Sequence, residues 1–222
     1  MIRIITIERE YGCGAGGIAK SLADRLGWSL WDHEITCEIA KRMRCDVASV
    51  ERREERPDPA FYRLVKVFMR GSYEDRYSGS GVELLDAEHL AEIFESVVKD
   101  VAERGPCVIV GRGSPWFLRG RDDAMHTFLF APYEEKMRRT IAQGKTEEEA
   151  EDLIERVDRD RAAFVCKFVG KTWPQRDLYH LMINSIIGDE GVIEIMLHEL
   201  ELLNRQAAQS LAPAEARAPR SY

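Results

Sequence analysis

The chain is poor in the features that mark several protein classes. Its five cysteines (Cys13, Cys37, Cys45, Cys107 and Cys166) are scattered and odd in number. No two of them stand as C-x-x-C, so neither a zinc site nor a disulfide framework is indicated. A reducing cytoplasm is the setting expected from that pattern. No apolar run approaches the roughly 18 residues that a membrane span requires. The N-terminus enters a strand at Ile2 with no signal-peptide pattern. There is no excess of positive charge. Asp and Glu number 39 against 32 Lys and Arg, for a formal net charge of -7, which argues against general nucleic-acid binding while leaving room for a local basic cleft. Internal repeats are absent. Membrane and nucleic acid are therefore not expected partners. What is present is a chain of 222 residues, 45% hydrophobic and 32% charged, which suits one globular domain with a sizeable core.

The stretch from Ile2 to Lys20 carries the main signal. Ile2, Ile4, Ile5 and Ile7 have the β-branched composition of a buried strand. Gly12, Gly14, Gly16 and Gly17 follow. Then Ile18, Leu22 and Leu26 recur four apart, a helical period. Strand, glycine-rich turn and helix together hold phosphate in α/β proteins, because converging N–H groups and the positive end of a helix meet there. A purely structural turn is the competing reading. Gly12, Gly14 and Gly17 also fit G-x-G-x-x-G, with Asp32 twenty residues after Gly12, so dinucleotide binding must be weighed. In that fold the first glycine follows the strand almost directly, whereas Glu8, Arg9, Glu10 and Tyr11 intervene here. The P-loop pattern G-x-x-x-x-G-K-[ST] is not met either. With Gly14 as its second glycine, Arg9 stands for the first glycine, Ala15 for the lysine and Gly16 for the Ser/Thr.

Strands are expected at 2–7, 28–31, 107–110, 125–130 and 181–184. Gly27 stops the first helix. Helices are expected from Ile35 to Arg44, Leu90 to Arg104, Tyr133 to Ala142, Thr146 to Phe164 and Val192 to Asn204. Thr146 and Glu149 have the spacing of a capping box. Strands alternating with helices predict an α/β fold, three layers α/β/α around a mostly parallel five-stranded sheet. Asp32 either points into the crevice at a strand's carboxyl end or caps the next helix. Residues 45–85 are highly charged, hold Pro57 and Pro59, and read as an insertion over the active-site face. Arg52, Arg53, Arg63, Arg70 and Arg76 lie there, each either a phosphate ligand or part of a solvated face. Residues 206–222, rich in Ala and Pro, read as a flexible tail beyond a single 1–205 domain.

Separated motifs now agree. Arg9-Glu10-Tyr11-Gly12-Cys13-Gly14-Ala15-Gly16 runs into Ala19-Lys20, Trp31-Asp32 ends the second strand, and Gly111-Arg112 ends the central one. Arg156-Val157-Asp158-Arg159-Asp160-Arg161 forms an arginine- and aspartate-rich helix, and Tyr179 to Ser185 precedes the last helix. The chain resembles the cytidylate kinase-like family of the P-loop nucleoside monophosphate kinases, over about residues 1–45 and 87–204. The resemblance implies a P-loop kinase-like fold with a helical acceptor-side insertion and a helical lid at about 145–175. It implies an ATP-dependent phosphotransferase acting on a nucleoside monophosphate, cytidylate-like or related. Arg9, Gly12, Cys13, Gly14, Ala15, Gly16 and Gly17 would hold the ATP phosphates. Asp32, Arg112 and Asp160 would hold the acceptor, and Arg156, Arg159 and Arg161 would close over the transferring group. By match to the bacterial lid, Arg156 would also bind the acceptor nucleotide. Mg²⁺ would be held mainly by the nucleotide phosphates and water, with no dedicated protein metal site and with Asp32 or Asp158 as the carboxylates that could join them. For Arg112 the competing role is a structural ion pair, and for the lid arginines a surface helix laced with ion pairs. The loop lysine of most P-loop kinases is replaced by Ala15, a position where this family also tends to lack it, and the arginine the family commonly places next is here Gly16, which leaves Arg9 or Lys20 as substitutes; Gly113 and Ala163 replace an aspartate and an arginine of bacterial cytidylate kinases. A catalytically weak nucleotide-binding module is the alternative function, and a dinucleotide-binding oxidoreductase a more distant one.

Overall fold

The computed structural model describes residues 1–42 and 87–211. The 45–85 insertion with its arginines, and the tail beyond 211, lie outside those residues.

Five parallel strands form one sheet in the order β2-β3-β1-β4-β5. They are β1 (Ile4–Arg9), β2 (Ser29–Trp31), β3 (Cys107–Val110), β4 (Ala124–Phe130) and β5 (Leu181–Asn184). Ile4 pairs with Cys107 on one side and Ala124 on the other. The first strand thus sits at the centre, and every residue of it is buried. Alternation then sends Ile4 to one face and Ile5 and Ile7 to the opposite one.

Helices cover both faces. Against Ile5 and Ile7 pack α1 (Ala15–Leu26), through Ile18 and Leu22, and α6 (Asp189–Leu211), through Val192 and Met196. Against Ile4 and Ile109 pack α2 (His33–Arg42), α3 (Ala87–Glu103) and the C-terminal part of α5 (Glu147–Val169). Phe94 of α3 meets Phe164 of α5 edge-on, with ring centroids 5.7 Å apart. The remaining long helix, α4 (Tyr133–Ala142), packs on α5. The expected capping box is present: the Thr146 hydroxyl accepts from the Glu149 N–H at 3.2 Å, and the Thr146 N–H donates to Glu149 Oε2 at 2.8 Å.

The expected elements are recovered with shifted ends. The first strand runs on through Arg9. Helix α6 continues to Leu211, so residues 206–211, expected as tail, are helical; Gln206, Ala207 and Ala208 are good helix formers.

The joint between β4 and β5 carries a buried histidine. His126 Nδ1 and the Thr6 hydroxyl lie 2.8 Å apart, and the His126 N–H donates to His180 Nδ1 at 3.0 Å. Burial, and secondly His180, pull the His126 pKa down to about 4. The unfolded chain therefore binds a proton that the folded one refuses between about pH 6.5 and 4, and stability falls as pH drops through that window. From those values the folded state should be about 2 kcal/mol less stable at pH 5 than at pH 7.5 through this group alone. Urea unfolding of wild type and His126→Gln at both pH values checks this. The difference between the two proteins should shrink at pH 5, and a constant difference would remove His126 as its source.

Candidate functional site

The sheet order decides what meets at its carboxyl edge. Strands β2, β3 and β1 are neighbours, so Asp32, Gly111-Arg112 and Arg9 emerge side by side. In open parallel sheets this edge, next to a reversal of strand order, is where ligands bind.

At that edge three arginines are buried together. Arg9, Arg112 and Arg161 have relative exposures of 5%, 2% and 9%. Arg161 comes from α5, and its Nη1 donates to the Arg9 carbonyl at 3.1 Å. Arg9 Nη1 lies 3.5 Å from Glu8 Oε1. Gly111 makes room for Arg9: a Cβ there would sit 1.9 Å from Arg9 Nη1. The three residues Gly111, Arg112 and Gly113 all have positive φ, at 67°, 61° and 68°. Arg112 is the only non-glycine among the described residues in that region, a strained placement of a kind that clusters at functional sites.

Electrostatics follow from this crowding. Burial pulls the Arg112 guanidinium down to about 9; Asp32 opposes that, while Arg9 and Arg161 add to it. Arg9 is pulled down by burial and then by Arg161, against Glu8 and Asp32. Glu8, equally buried, is pushed up by desolvation against the pull of Arg9 and Arg161. Arg112 stays cationic at neutral pH. Asp32, 4% exposed, is thus in the electrostatic reach of Arg9 and Arg112.

The glycine loop lies beside this cluster. Gly12 and Gly14 have φ of 74° and 85°, and Gly14 caps α1. No side chain caps that helix and no acid lies in its first turn. The N–H groups of Gly14, Gly16 and Gly17 meet no acceptor among the described residues, so they are open to an anion at the positive helix end. The loop is held from outside. The Ser185 hydroxyl donates to the Cys13 carbonyl at 2.7 Å. Arg139 of α4 lies over Gly14 and donates to Asp189 at 2.8 Å and to the Ser185 carbonyl at 3.3 Å. Burial pushes the Cys13 thiol up to about 11, so Cys13 shapes the loop as a thiol. Ala15 is buried at the head of α1.

A further group was not legible as a motif. Lys136 of α4 lies with its Cβ 3.1 Å from where a Gly12 Cβ would be. Its Nζ is 2.6 Å from Glu10 and 3.4 Å from Asp158. Asp158 Oδ1 accepts the Tyr11 N–H at 2.7 Å and Arg161 Nη1 at 3.1 Å. The Tyr11 ring is packed with Ile154 and Val157 of α5. Loop, α4 and α5 are thereby tied together.

Arg161 joins the cluster. Arg156 instead pairs with Asp152 at 3.0 Å, Arg159 is exposed and Asp160 is half-buried. Lys20 is exposed and holds Asp24 at 2.7 Å, so it is turned to its own helix and not to the loop.

The profile of the cytidylate kinase-like family matches residues 4–186. The chain belongs to the cytidylate kinase-like family. Solved structures agree on the fold. A protein of Eubacterium ventriosum described as uncharacterized has a TM-score of 0.64 at 20% identity, over 90% of this chain and 99% of its own. Shikimate kinase from Bacteroides thetaiotaomicron has a TM-score of 0.51 at 19% identity, again over 90% and 99%. A search of curated proteins finds no match. The glycine turn of this cytidylate kinase-like chain therefore belongs to a P-loop kinase fold, whatever its partial fit to G-x-G-x-x-G.

Phosphate fits what is there. Open amides at a helix head and buried guanidiniums suit phosphate oxygens. Around them, Arg9, Arg112, Arg161 and Lys136 are matched one for one by Glu8, Glu10, Asp32 and Asp158. For a divalent cation, no group of three His, Cys, Asp or Glu able to hold it exists among the described residues, and Asp158 is already engaged by donors. No described helix is long and apolar enough to cross a membrane.

Proposed function

We propose that this chain is an ATP-dependent phosphotransferase whose acceptor is a nucleoside monophosphate, cytidylate-like, or a related small phosphorylated or hydroxyl compound. The observation that carries the reading is the convergence of Arg9, Arg112 and Arg161 beside the open amides of Gly14, Gly16 and Gly17. Phosphoryl transfer asks a protein chiefly to position two anions and neutralise charge between them. The amides hold donor phosphates. Arg112, at the end of β3 and next to Asp32, takes the acceptor. Arg161 reaches between them from α5 and stabilises the transferring group. Mg²⁺ bound through the phosphates supplies further neutralisation. In the reaction the bond from the γ-phosphorus to the bridging oxygen breaks and its electron pair leaves with ADP. A bond forms to the acceptor oxygen; where that oxygen is a hydroxyl, its proton goes to solvent or a nearby carboxylate.

A second reading, a nucleotide-binding module with weak turnover, draws support from Ala15 in the lysine position. One experiment separates the two. ATP and Mg²⁺ are supplied with a panel of nucleoside monophosphates, together with shikimate, and ADP is measured. Formation of ADP that depends on one acceptor is the expected result. Tight ATP binding with no acceptor-dependent turnover across the panel would favour the second reading.

A further inference from the structure

The carboxylate of Asp158 is surrounded in a way that an ordinary surface aspartate is not. Its Oδ1 accepts the Tyr11 N–H at 2.7 Å and Arg161 Nη1 at 3.1 Å, and its Oδ2 lies 3.4 Å from Lys136 Nζ. The donors come from three places: the glycine loop, α5 and α4. A backbone amide, a guanidinium and an ammonium converging on one anion is the donor set that a phosphoryl group takes. Lys136 is 9% exposed and stands against Gly12, in a loop that has no cation of its own at Ala15 or Gly16. Lys20 is committed to Asp24, and Arg9 lies between Glu8 and Gly111.

Charge makes the same point. The cations here are already matched by carboxylates, so an entering phosphate competes with those carboxylates for the same donors. Glu8, Glu10 and Asp32 belong to the sheet and its loops. Asp158 alone stands in a helix, where its side chain can turn away without breaking a strand pairing and without moving Arg161, one turn on.

We propose that the Tyr11 N–H, Lys136 and Arg161 form the seat of the γ-phosphoryl group, with Lys136 serving in place of the missing loop lysine. Asp158 fills that seat in the nucleotide-free protein and gives way when ATP enters. The inference rests on the phosphotransferase reading above and deepens it. It makes Asp158 an internal competitor for one phosphate only, the one that ATP has and ADP lacks. Arg161 keeps its bond to the Arg9 carbonyl when Asp158 leaves, and so stays at the loop.

The test compares ATP and ADP affinities by calorimetry, with Mg²⁺, on the full chain and on Asp158→Asn, Lys136→Met and Lys136→Arg. Asp158→Asn should tighten ATP about tenfold and leave ADP within about twofold, by removing the competing charge. Lys136→Met should weaken ATP at least about tenfold with a small effect on ADP. Lys136→Arg, which keeps the charge and guards against a folding failure of the methionine variant, should retain most of the preference for ATP. Thermal melts verify that each variant is folded. Asp158→Asn that weakens ATP, or variants that move ATP and ADP equally, would overturn the proposal and make Lys136 and Asp158 an ion-pair strut. Wild type that binds neither nucleotide would instead bring down the phosphotransferase reading itself, and this inference with it.

Discussion

Gly14→Val is expected to fold and to lose its nucleotide. Gly14 has φ +85°, and a Cβ at that position would lie 1.9 Å from Arg139 Nη1 and 3.5 Å from Asp189 Oδ1. The contact with Arg139 is with the end of a flexible side chain, which can swing aside. The backbone cannot adjust as easily. A left-handed conformation costs an L-residue about 1–2 kcal/mol, and β-branching adds crowding. The chain relieves that strain by rotating the peptide units next to Gly14, and these carry the amides that open onto the anion site. Hydrogen bonds to charged groups contribute about 1.5–3 kcal/mol each. Losing two of them weakens binding by at least about a hundredfold, while the loss of stability stays near 2 kcal/mol. Gly17→Ala is the contrast. Its Cβ meets nothing nearer than Asp189 Oδ2 at 3.8 Å, it lies in α1, and alanine favours a helix over glycine by up to about 1 kcal/mol. It should bind nucleotide and melt no lower than wild type. Calorimetry and thermal melts on the two variants decide the matter. Wild-type affinity in Gly14→Val would take the loop out of the site.

The two glycine variants differ because of φ, and φ is what the sequence does not print. The run Gly12 to Gly17 is visible as a turn, yet which glycine is indispensable emerges only once Arg139 and Lys136 of α4 are laid over it. The sheet was legible because its strands are short apolar runs punctuated by Gly and Pro. Cys107 to Val110 follows Gly105-Pro106, and Leu181 to Asn184 precedes a 3₁₀ turn at Ser185. Helix α5 announced its start through Thr146 and Glu149. The convergence of Arg9, Asp32 and Arg112 was legible in part: each ends a strand, and parallel strands place their ends together. Lys136 was hidden for a physical reason. It sits in a charged helix, Tyr133 to Ala142, among Glu134, Glu135, Arg138 and Arg139, and nothing in the helical period separates the inward lysine from its solvated neighbours. One signal was available: Lys136, Met137 and Thr140 fall on one side of that helix, and Met137 packs with Tyr11. The lid arginines show the same limit. Helical spacing puts Arg156 and Arg159 on one face with Asp160 and sets Arg161 nearer Asp158, but spacing does not say which face turns inward; it is Arg161, with Asp158, that does.

Arg112→Gly is expected to keep or raise stability while abolishing acceptor-dependent turnover. Two roles for Arg112 lead to opposite outcomes. As a structural ion pair with Asp32, its loss would strand a buried carboxylate, which costs about 3–5 kcal/mol. As an acceptor ligand, it is held at a cost that the fold bears elsewhere. Its φ is +61°, a strain of about 1–2 kcal/mol that glycine removes. Its guanidinium is 2% exposed and pulled down to about 9 chiefly by burial, so the charge is poorly solvated. Asp32 is not stranded, because Arg9 feels it too. Against these gains stands the extra chain entropy of an unfolded glycine, about 0.5–1 kcal/mol. The balance lies between zero and about 1.5 kcal/mol in favour of the variant, several kcal/mol away from the structural outcome. Turnover should move the other way. A buried bidentate guanidinium on a phosphate contributes about 1.5–3 kcal/mol per hydrogen bond, so kcat/KM for the acceptor should fall at least about a hundredfold, with ATP affinity altered only severalfold. Arg112→Lys should not rescue it, since an ammonium lacks the planar fork. A melting temperature well below wild type, with the losses in ATP and acceptor binding equal, would return Arg112 to the framework and leave the acceptor without its anchor.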